Sequence, residues 1–405
     1  MNEASEPASE PPIRLSPSPA PAHDALLFSG GPPQALEKWL GLRGGNRPLI
    51  RRALITVAVG WLPLVILTAL RGDLVRSDTA NSFILDFGVQ ARFLLAAPLL
   101  VLAEAVCVPR LAGIAQQFID NGMVSQAEHS RYDAAVESTR RLMNSRLVEV
   151  ALIGLAYALV FAAVKATSPE TLPSWHGRLN PLAGTPAGWW GLLVSLPLLL
   201  LLLLGWFWRI CVWTRFLWLM NRLQLQLEAP HPDHSGGLAF VGRSLEALQP
   251  LGFIVGVICS GPVANQVVHH HASPRQFKYV AIGAAILVTV VCAGPLLVFL
   301  RRLLEVRHHG ELEYGALALR IDKRLRLKYL GMSSGIDQGT LDMSDYTGTN
   351  AANSIAANAG AVRILPLELR SVGLLMVTTF LPFVPVWLVA VPFDELFKTL
   401  SAFLL

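Results

Sequence analysis

The densest group of residues that could do chemistry is the stretch HPDHSGGLAF at positions 231–240. Its imidazole and carboxylate side chains are the nitrogen and oxygen donors that zinc, manganese and iron accept in proteins. His231, Asp233 and His234 are therefore candidate ligands of a divalent metal ion. Three ligands within four residues are sterically awkward, so a complete site would need donors from elsewhere in the chain.

A second histidine-rich stretch, RHHGELEYG at positions 307–315, offers such donors. On a helix His309 and Glu313 lie one turn apart on one face, as do His308 and Glu311. A site assembled from both stretches predicts a divalent metal ion as the cofactor. It matches no H-E-x-x-H or comparable signature, and the alternative for this stretch is a helix surface facing solvent or lipid headgroups.

Turn and cap chemistry is a second interpretation of residues 231–240. Pro230 and Pro232 end the preceding helix, because proline lacks a backbone N–H and constrains its predecessor. Asp233 or Ser235 then caps the next helix, and no ligand is needed.

Anion binding is a third interpretation of the same stretch. The start of the following helix presents free N–H groups to an anion or a lipid headgroup. Its candidate contacts are Gly236, Gly237 and Arg243. The residue types leave all three interpretations open.

Within the apolar part of the chain, Glu104 and two Gly-Pro pairs stand out. A carboxylate near the end of an apolar run is a candidate proton or cation relay, or a side chain that reaches the interface. The segments VGVICSGPV (255–263) and VTVVCAGPL (288–296) share their Gly-Pro pair. Paired interruptions of this kind indicate a transporter site, and simple kinks are the alternative. The candidate transport path consists of Glu104, Gly261, Pro262, Gly294 and Pro295.

Composition places these residues in a membrane protein. Of the 405 residues, 53% are hydrophobic and 15% are charged, against about 25% charged residues in soluble domains. Apolar runs that approach the length needed to cross a bilayer recur along the chain. They are Ala53–Leu70, Phe93–Val108, Val148–Val164, Trp189–Trp208, Leu251–Val267, Tyr279–Leu300 and Leu374–Val391. The predicted fold class is all-α: a polytopic membrane protein of about seven transmembrane helices with helical cytoplasmic extensions.

Basic residues set the predicted orientation. Of the 33 Lys and Arg residues, 25 fall in the N-terminal tail and in every second segment after it. The positive-inside rule then predicts a bacterial-type inner membrane, with the N-terminus cytoplasmic and the C-terminus outside. The net charge of +5 indicates contact with a bilayer of anionic headgroups, and no nucleic-acid partner is expected. A second copy or a membrane partner protein is a further candidate.

The spans divide the chain into five parts. Because it is rich in Pro, Ser and Ala, the tail is expected to be disordered. The small, polar composition of residues 331–361 likewise predicts a flexible loop. The parts are a disordered cytoplasmic tail (1–35), an interfacial segment (36–52), a six-span region (53–300) with cytoplasmic helical extensions (109–147 and 209–250), a cytoplasmic helix and flexible loop (301–370), and the last span with an outer tail (371–405).

Three local patterns predict helix geometry. The run from Trp189 to Leu227 predicts one helix of ~58 Å. The spacing of Ser125 and Glu128 is that of a capping box. The stripe of Gly252, Gly256 and Ser260 indicates close packing against a neighbouring helix.

One stretch carries a resemblance. Residues 216–240, FLWLMNRLQLQLEAPHPDHSGGLAF, resemble a segment of uncharacterised bacterial multi-pass membrane proteins with the pattern H-P-D-x-x-G-G-L-x-F. Shorter similarities are WLPL at 61–64 and LPFVP at 381–385. The resemblance implies a membrane location and carries no activity.

Three functional classes follow. A permease or channel is favoured by Glu104 and the paired Gly-Pro segments. A metal-dependent membrane enzyme at the cytoplasmic face follows from the histidine stretches. A membrane scaffold or sensory partner follows from the large helical portion outside the spans.

Overall fold

The fold is a bundle of apolar helices, as the composition predicts. A computed structural model describes residues 27–28, 30–31, 48–76, 82–166, 174–178, 183–329 and 343–390. Six helices in this part of the chain are long and apolar enough to cross a membrane, and a bent pair makes a seventh. The all-α polytopic fold class is therefore confirmed.

The first span is two helices joined at a break. α1 (Pro48–Gly60) and α2 (Leu62–Leu70) meet at Trp61. Pro63 has no backbone N–H, so the Val59 carbonyl cannot receive its usual hydrogen bond within the helix. The indole of Trp190 donates to that carbonyl at 3.0 Å. The break is thus a packed junction, since the freed backbone group is satisfied by a neighbouring helix.

The remaining elements follow in chain order. Two spans are interrupted by π-helical segments, and another long helix contains a 3₁₀ segment, Gly294–Phe299. The helices are α3 (Phe87–Asp120), α4 (His129–Met143), α5 (Arg146–Ala166), α6 (Pro186–Asn221), α7 (Ala239–His269), α8 (Lys278–Ala293 and Leu300–Tyr329 with the 3₁₀ segment between), α9 (Met343–Gly360), α10 (Leu369–Phe380) and α11 (Phe383–Ala390). Strands β1 (Gly177–Arg178) and β2 (Ala183–Gly184) form a small antiparallel pair.

Burial divides the helices into two groups. α3, α6 and α7 bury about half of their apolar spans and form the centre of the bundle. α5 buries much less, and Leu147, Val150 and Phe161 stand exposed on it. Apolar side chains facing outward on a span are expected where lipid is the solvent.

The predicted helix from Trp189 to Leu227 is shorter than expected. α6 ends at Asn221, and Leu225 pairs with Val124 in an isolated β-bridge. The Glu128 carboxylate accepts the backbone N–H of Gln224 at 2.6 Å. The prediction of a capping box at Ser125 is therefore wrong, because this carboxylate holds another segment instead.

The predicted flexible loop contains a helix. Residues 330–342 lie outside the described residues, but α9 covers Met343–Gly360 and packs along the second half of α8. A Cβ added to Gly310 would lie 2.4 Å from Ala229 and 3.5 Å from Ala359. Small residues allow this close approach, so their abundance indicated helix packing rather than a loop.

Part of the predicted disordered tail is packed into the core. Phe28 is fully buried, with its ring 5.3 Å from that of Trp213 and 6.3 Å from that of Phe216. The composition of the tail did not predict that one of its aromatic residues packs into the core. Residues 1–26, 29 and 32–47, which include most of the predicted tail and of the predicted interfacial segment, lie outside the described residues, as does the outer tail from 391. The last part of the interfacial segment, residues 48–52, belongs to α1.

The small-residue stripe of α7 packs against α10. A Cβ added to Gly256 would lie 2.3 Å from the Thr379 carbonyl oxygen, and one on Gly252 would lie 2.8 Å from the Thr379 hydroxyl oxygen. The prediction of close packing is confirmed at both glycines. Pro382 follows, where the chain bends by 47° between the two helices of the last span.

We expect Gly256→Ala to destabilise the protein by about 1–3 kcal/mol, because the added methyl overlaps a backbone oxygen and α10 must move away. Gly283→Ala is the matched control, since nothing lies within 4 Å of a Cβ at that position. The thermal midpoint of each purified variant in detergent measures the difference. Equal midpoints for the two variants would contradict the close packing of α7 and α10.

Candidate functional site

The HPDHSGG stretch is a turn organised around the Asp233 carboxylate. That carboxylate accepts backbone N–H groups from Ser235 (2.8 Å), Gly237 (3.1 Å) and Ala239 (3.1 Å). It also contacts Nδ1 of His231 at 2.9 Å. The predicted turn is therefore confirmed around Asp233, which also accepts the first N–H of α7, although Leu238 occupies the N-cap position. The Ser235 hydroxyl has no partner in the described chain.

Backbone geometry explains the two glycines of the turn. Gly236 and Gly237 have φ values of 62° and 92°, and His234 has a φ of 52°. Glycine adopts this left-handed region without the steric cost that a Cβ brings. Burial alone would raise the pKa of Asp233, but the three backbone N–H groups and His231 outweigh it and lower the pKa.

The predicted metal ligands do not converge. Among the described residues, no group of three or more His, Cys, Asp or Glu side chains is arranged to hold a metal ion. The two stretches do approach each other, because a Cβ on Gly236 would lie 3.7 Å from Val306. His308, His309 and Glu313 are nevertheless exposed on α8, and His309 Nδ1 contacts the Glu305 carbonyl at 2.9 Å. Metal binding stays a prediction that this geometry does not favour.

The predicted anion contacts are separated. The N–H of Gly237 is already bound by Asp233, so it is not free for an anion. Arg243 instead lines a different cavity with Arg110 and Arg370.

Glu104 lies in a buried cluster with two arginines. Arg52 on α1 donates to its carboxylate at 2.6 and 3.3 Å, and Arg209 on α6 donates at 2.5 Å. Arg209 also donates to the Gly30 carbonyl at 2.7 Å and lies over the ring of Trp206. Glu104 therefore joins three helices and the N-terminal segment, and the three side chains carry a formal charge of +1. We call Arg52, Glu104 and Arg209 the Glu104 cluster.

The two Gly-Pro pairs are not equivalent. Gly261 lies in the continuous helix α7, where a Cβ would meet Ala91 at 2.7 Å, and Pro262 lines a polar pocket. Gly294 and Pro295 begin the 3₁₀ segment of α8, whose Val298 carbonyl accepts from Asn221 at the end of α6. The described contacts thus put the two pairs in different surroundings, and they do not face one site.

The polar pocket has a volume of about 270 Å³ and lies beside the start of α3 and the end of α7. Asp86 is buried beside it and accepts the Val89 N–H (3.1 Å), the Asn265 amide (2.8 Å) and the Trp175 indole N–H (3.3 Å). Asn265 accepts the Phe87 N–H in turn at 2.8 Å. We call this cavity the Asp86 pocket.

Several groups that line the Asp86 pocket are unsatisfied. The Arg92 guanidinium makes no hydrogen bond or ion pair with any described residue, although Asp86 lies within electrostatic reach. The Nδ1 atoms of His176 and His269 are buried without a partner in the same part of the chain. His269 Nε2 contacts the Leu85 carbonyl at 2.8 Å. Burial lowers the pKa of His176 and favours its neutral form, which the nearby Asp86 only partly opposes. Unsatisfied buried polar groups indicate a place for a ligand.

Both π-helical segments lie at this pocket. Gln90–Ala96 carries Arg92 and Phe93, and Gly191–Ser195 carries Gly191 and Leu192. π-helical turns are rare and occur frequently at functional sites.

Sequence reasoning missed Asp86, Arg92, Trp175 and His176. The apolar run predicts a second span that begins at Phe93, whereas α3 begins at Phe87 and includes Arg92. The available signal in the sequence was an aspartate a few residues before an apolar span, with polar and apolar residues between them.

The same three spans build the Asp86 pocket and the Glu104 cluster. Leu64 (first span), Arg92 (α3) and Leu196 (α6) line the pocket, and these spans supply Arg52, Glu104 and Arg209. Along α3, Arg92 and Glu104 are separated by about 18 Å at the usual helical rise. Buried apolar residues fill α3 between the two, including Ala96, Ala97 and Leu100.

Comparisons with known protein families, with curated proteins and with solved structures found no match for this chain. The resemblance of residues 216–240 therefore stays an observation on the sequence alone.

We expect Asp233→Asn to weaken the turn by about 1 kcal/mol, because the charged acceptor of three backbone N–H groups is lost. The lowered pKa of Asp233 makes this contribution fully present above its ordinary value of 3.8 and lost as the pH falls through the folded value. Thermal midpoints of both proteins between pH 3 and 7 would therefore differ at neutral pH and converge at the acidic end. A constant difference across this range would contradict the role of the charge.

We expect Glu104→Gln to cost about 3–5 kcal/mol, because it leaves two buried guanidinium groups without their anion. Removing one of them as well, in Glu104→Gln/Arg209→Gln, should recover part of this loss. Glu137→Gln is the control, since its pair with Arg141 is exposed and surface pairs contribute roughly 0–1 kcal/mol. Thermal midpoints in detergent measure all three, and similar midpoints for Glu104→Gln and Glu137→Gln would contradict the cluster's structural role.

Proposed function

We propose that the protein is a permease for a small anion, which binds in the Asp86 pocket. The observation that carries this proposal is the Arg92 guanidinium, which lines a polar cavity at one end of the spans and makes no hydrogen bond or ion pair with a described residue. The Asp86 oxygens already accept hydrogen bonds from Val89, Asn265 and Trp175, although the charge of Asp86 still acts on Arg92. The Arg92 guanidinium therefore offers free donors to a ligand. A guanidinium binds carboxylate and phosphate groups in a bidentate manner.

The shared helices support transport rather than binding alone. The anion's second binding position would be the Glu104 cluster, which lies on the same three spans and carries a formal charge of +1. Buried apolar side chains such as Leu100 and Leu199 close the path between the Asp86 pocket and the Glu104 cluster in the described conformation. Alternating access requires a closed segment of this kind, which opens when the spans move against each other. With the predicted orientation, the Asp86 pocket opens outward.

The N-terminal segment covers the Glu104 cluster. Gly30 accepts from Arg209, and a Cβ on Gly31 would lie 2.9 Å from the Met143 sulfur. Phe28 packs on Trp213 one helical turn beyond Arg209. This segment would have to move for an anion to leave past the Glu104 cluster. The metal-dependent enzyme and the scaffold stay predictions that no observation on the described residues favours.

Uptake into proteoliposomes of the full-length protein tests the proposal. The probes are radiolabelled phosphate and succinate, with rubidium as a cation control. We expect uptake of at least one anion well above that of empty liposomes, and about a tenfold loss in Arg92→Gln, because a hydrogen bond to a charged group contributes about 1.5–3 kcal/mol. Arg275→Gln is the matched control, since Arg275 is exposed next to the His269 end of α7.

Two outcomes would overturn the proposal. One is anion uptake that does not exceed the uptake by empty liposomes. The other is equal uptake by Arg92→Gln and Arg275→Gln, which would mean that Arg92 has no part in the anion's path.

A further inference from the structure

Three arginines from three helices line a second cavity, which the proposed function does not use. Arg110 lies on α3, Arg243 between the first turns of α7, and Arg370 at the start of α10. The cavity has a volume of about 500 Å³ and is open on one side. We call it the arginine cavity.

The positive charge of the arginine cavity is not matched by the protein. Glu246 is its one acidic lining residue among those described, and the Glu246 carboxylate accepts the Ser371 hydroxyl at 2.9 Å. Arg110 reaches only the Glu246 backbone oxygen, at 3.5 Å. The guanidinium groups of Arg243 and Arg370 make no hydrogen bond or ion pair with a described residue. Three positive charges thus face one negative charge.

A buried acceptor in the same cavity also has no partner. The Gln117 side-chain oxygen is shielded from solvent and receives no hydrogen bond from the described residues. A ligand that carries a hydroxyl beside an anionic group would satisfy both this oxygen and the guanidinium groups.

The arginine cavity lies at the level where the apolar spans end. Arg110 comes two residues after the apolar run that ends at Val108, and Arg370 comes four residues before the run that begins at Leu374. This is the depth of phospholipid headgroups in a bilayer, where basic residues meet anionic lipid.

Exposed apolar stripes lead from the cavity into the membrane zone. On α3, Leu102 and Val106 are exposed and lie on the face of Arg110 by their spacing of four. On α10, Leu374 and Val377 are exposed and continue the face of Arg370, and the exposed Leu381 follows directly after the helix. Both helices pack on α7, and the arginine cavity, which Arg110 and Leu374 line together, connects the two stripes. We call the apolar surface that the two stripes form beside the cavity the groove. An apolar groove of this kind can bind an acyl chain, whereas a soluble anion makes no favourable contact with it.

We propose that the arginine cavity binds the phosphate of an anionic phospholipid, with a hydroxyl-bearing headgroup on Gln117 and an acyl chain in the groove between α3 and α10. The site is independent of the Asp86 pocket and of transport. It ties three helices together at one membrane surface, because the lipid phosphate replaces the missing acid between their arginines.

Native mass spectrometry of the delipidated full-length protein in detergent tests the site. The protein is titrated with phosphatidylglycerol and with phosphatidylcholine of the same acyl chains. We expect phosphatidylglycerol to bind at least about tenfold more tightly, since a charged hydrogen bond contributes about 1.5–3 kcal/mol. In Arg243→Gln/Arg370→Gln this preference should fall to less than about threefold. Arg301→Gln/Arg320→Gln makes the same charge change at exposed positions on α8 and should retain the preference.

Two competitors without acyl chains distinguish a lipid site from a site for a soluble anion. Inorganic phosphate and glycerophosphoglycerol should not displace the lipid at equal concentration. Displacement by either would overturn the proposal in favour of a soluble anion, and an equal preference in both double variants would overturn it in favour of non-specific charge attraction.

A charge-preserving pair covers the case in which Arg243→Gln/Arg370→Gln fails to fold. Arg243→Lys/Arg370→Lys keeps both positive charges and removes only the planar fork of donors. Loss of the preference in that folded variant would still support bidentate contacts, and a preference in it above the wild-type value would contradict them.

Discussion

Glu104 lies where α1, α3, α6 and the N-terminal segment meet, and two guanidinium groups share its carboxylate. An isolated charge inside a membrane protein is costly, so such groups pair with one another or with backbone carbonyls. Here both kinds of partner are used, because Arg209 binds Glu104 and the Gly30 carbonyl. The cluster sets the register of the three helices, since a shift of one turn would move each charge about 5.4 Å from its partner. Everything built on these helices inherits that register, including the Asp86 pocket.

The same requirement for internal partners explains the irregular parts of the spans. Where Pro63 frees the Val59 carbonyl, the Trp190 indole supplies a donor. Where α3 begins, the Asp86 carboxylate caps it and draws in Asn265 and Trp175. The Arg92 guanidinium and the Nδ1 atoms of His176 and His269, by contrast, have no hydrogen-bond partner among the described residues. These groups line one cavity, and this is the reason that a transported ligand is inferred there.

Close packing supplies the rest of the architecture. Lipid gives helices no hydrophobic reason to associate, so contact area and hydrogen bonds between them must do so. At Gly256 and at Gly310, another segment of the same chain lies closer than an added Cβ would allow. The Asp233 turn serves the same purpose outside the spans, because it redirects the chain from the end of α6 into α7 and places Arg363 N–H on the His234 carbonyl at 2.7 Å.

The seven spans and the all-α class were determined by the sequence itself, because a segment that must satisfy its backbone in hydrocarbon shows its helix through composition alone. The same holds for the α7 glycine stripe and for the capping capacity of Asp233, which are local properties of residue type and spacing. The Glu104 cluster, the Asp86 pocket and the arginine cavity were decided only by the tertiary structure. Arg52, Glu104 and Arg209 are far apart in the chain, and no pattern in one segment states which residue of another span will lie at the same depth. For the same reason the two histidine stretches, which look like one metal site in the sequence, come near each other without sharing a centre, because the helix register turns their side chains to different surroundings.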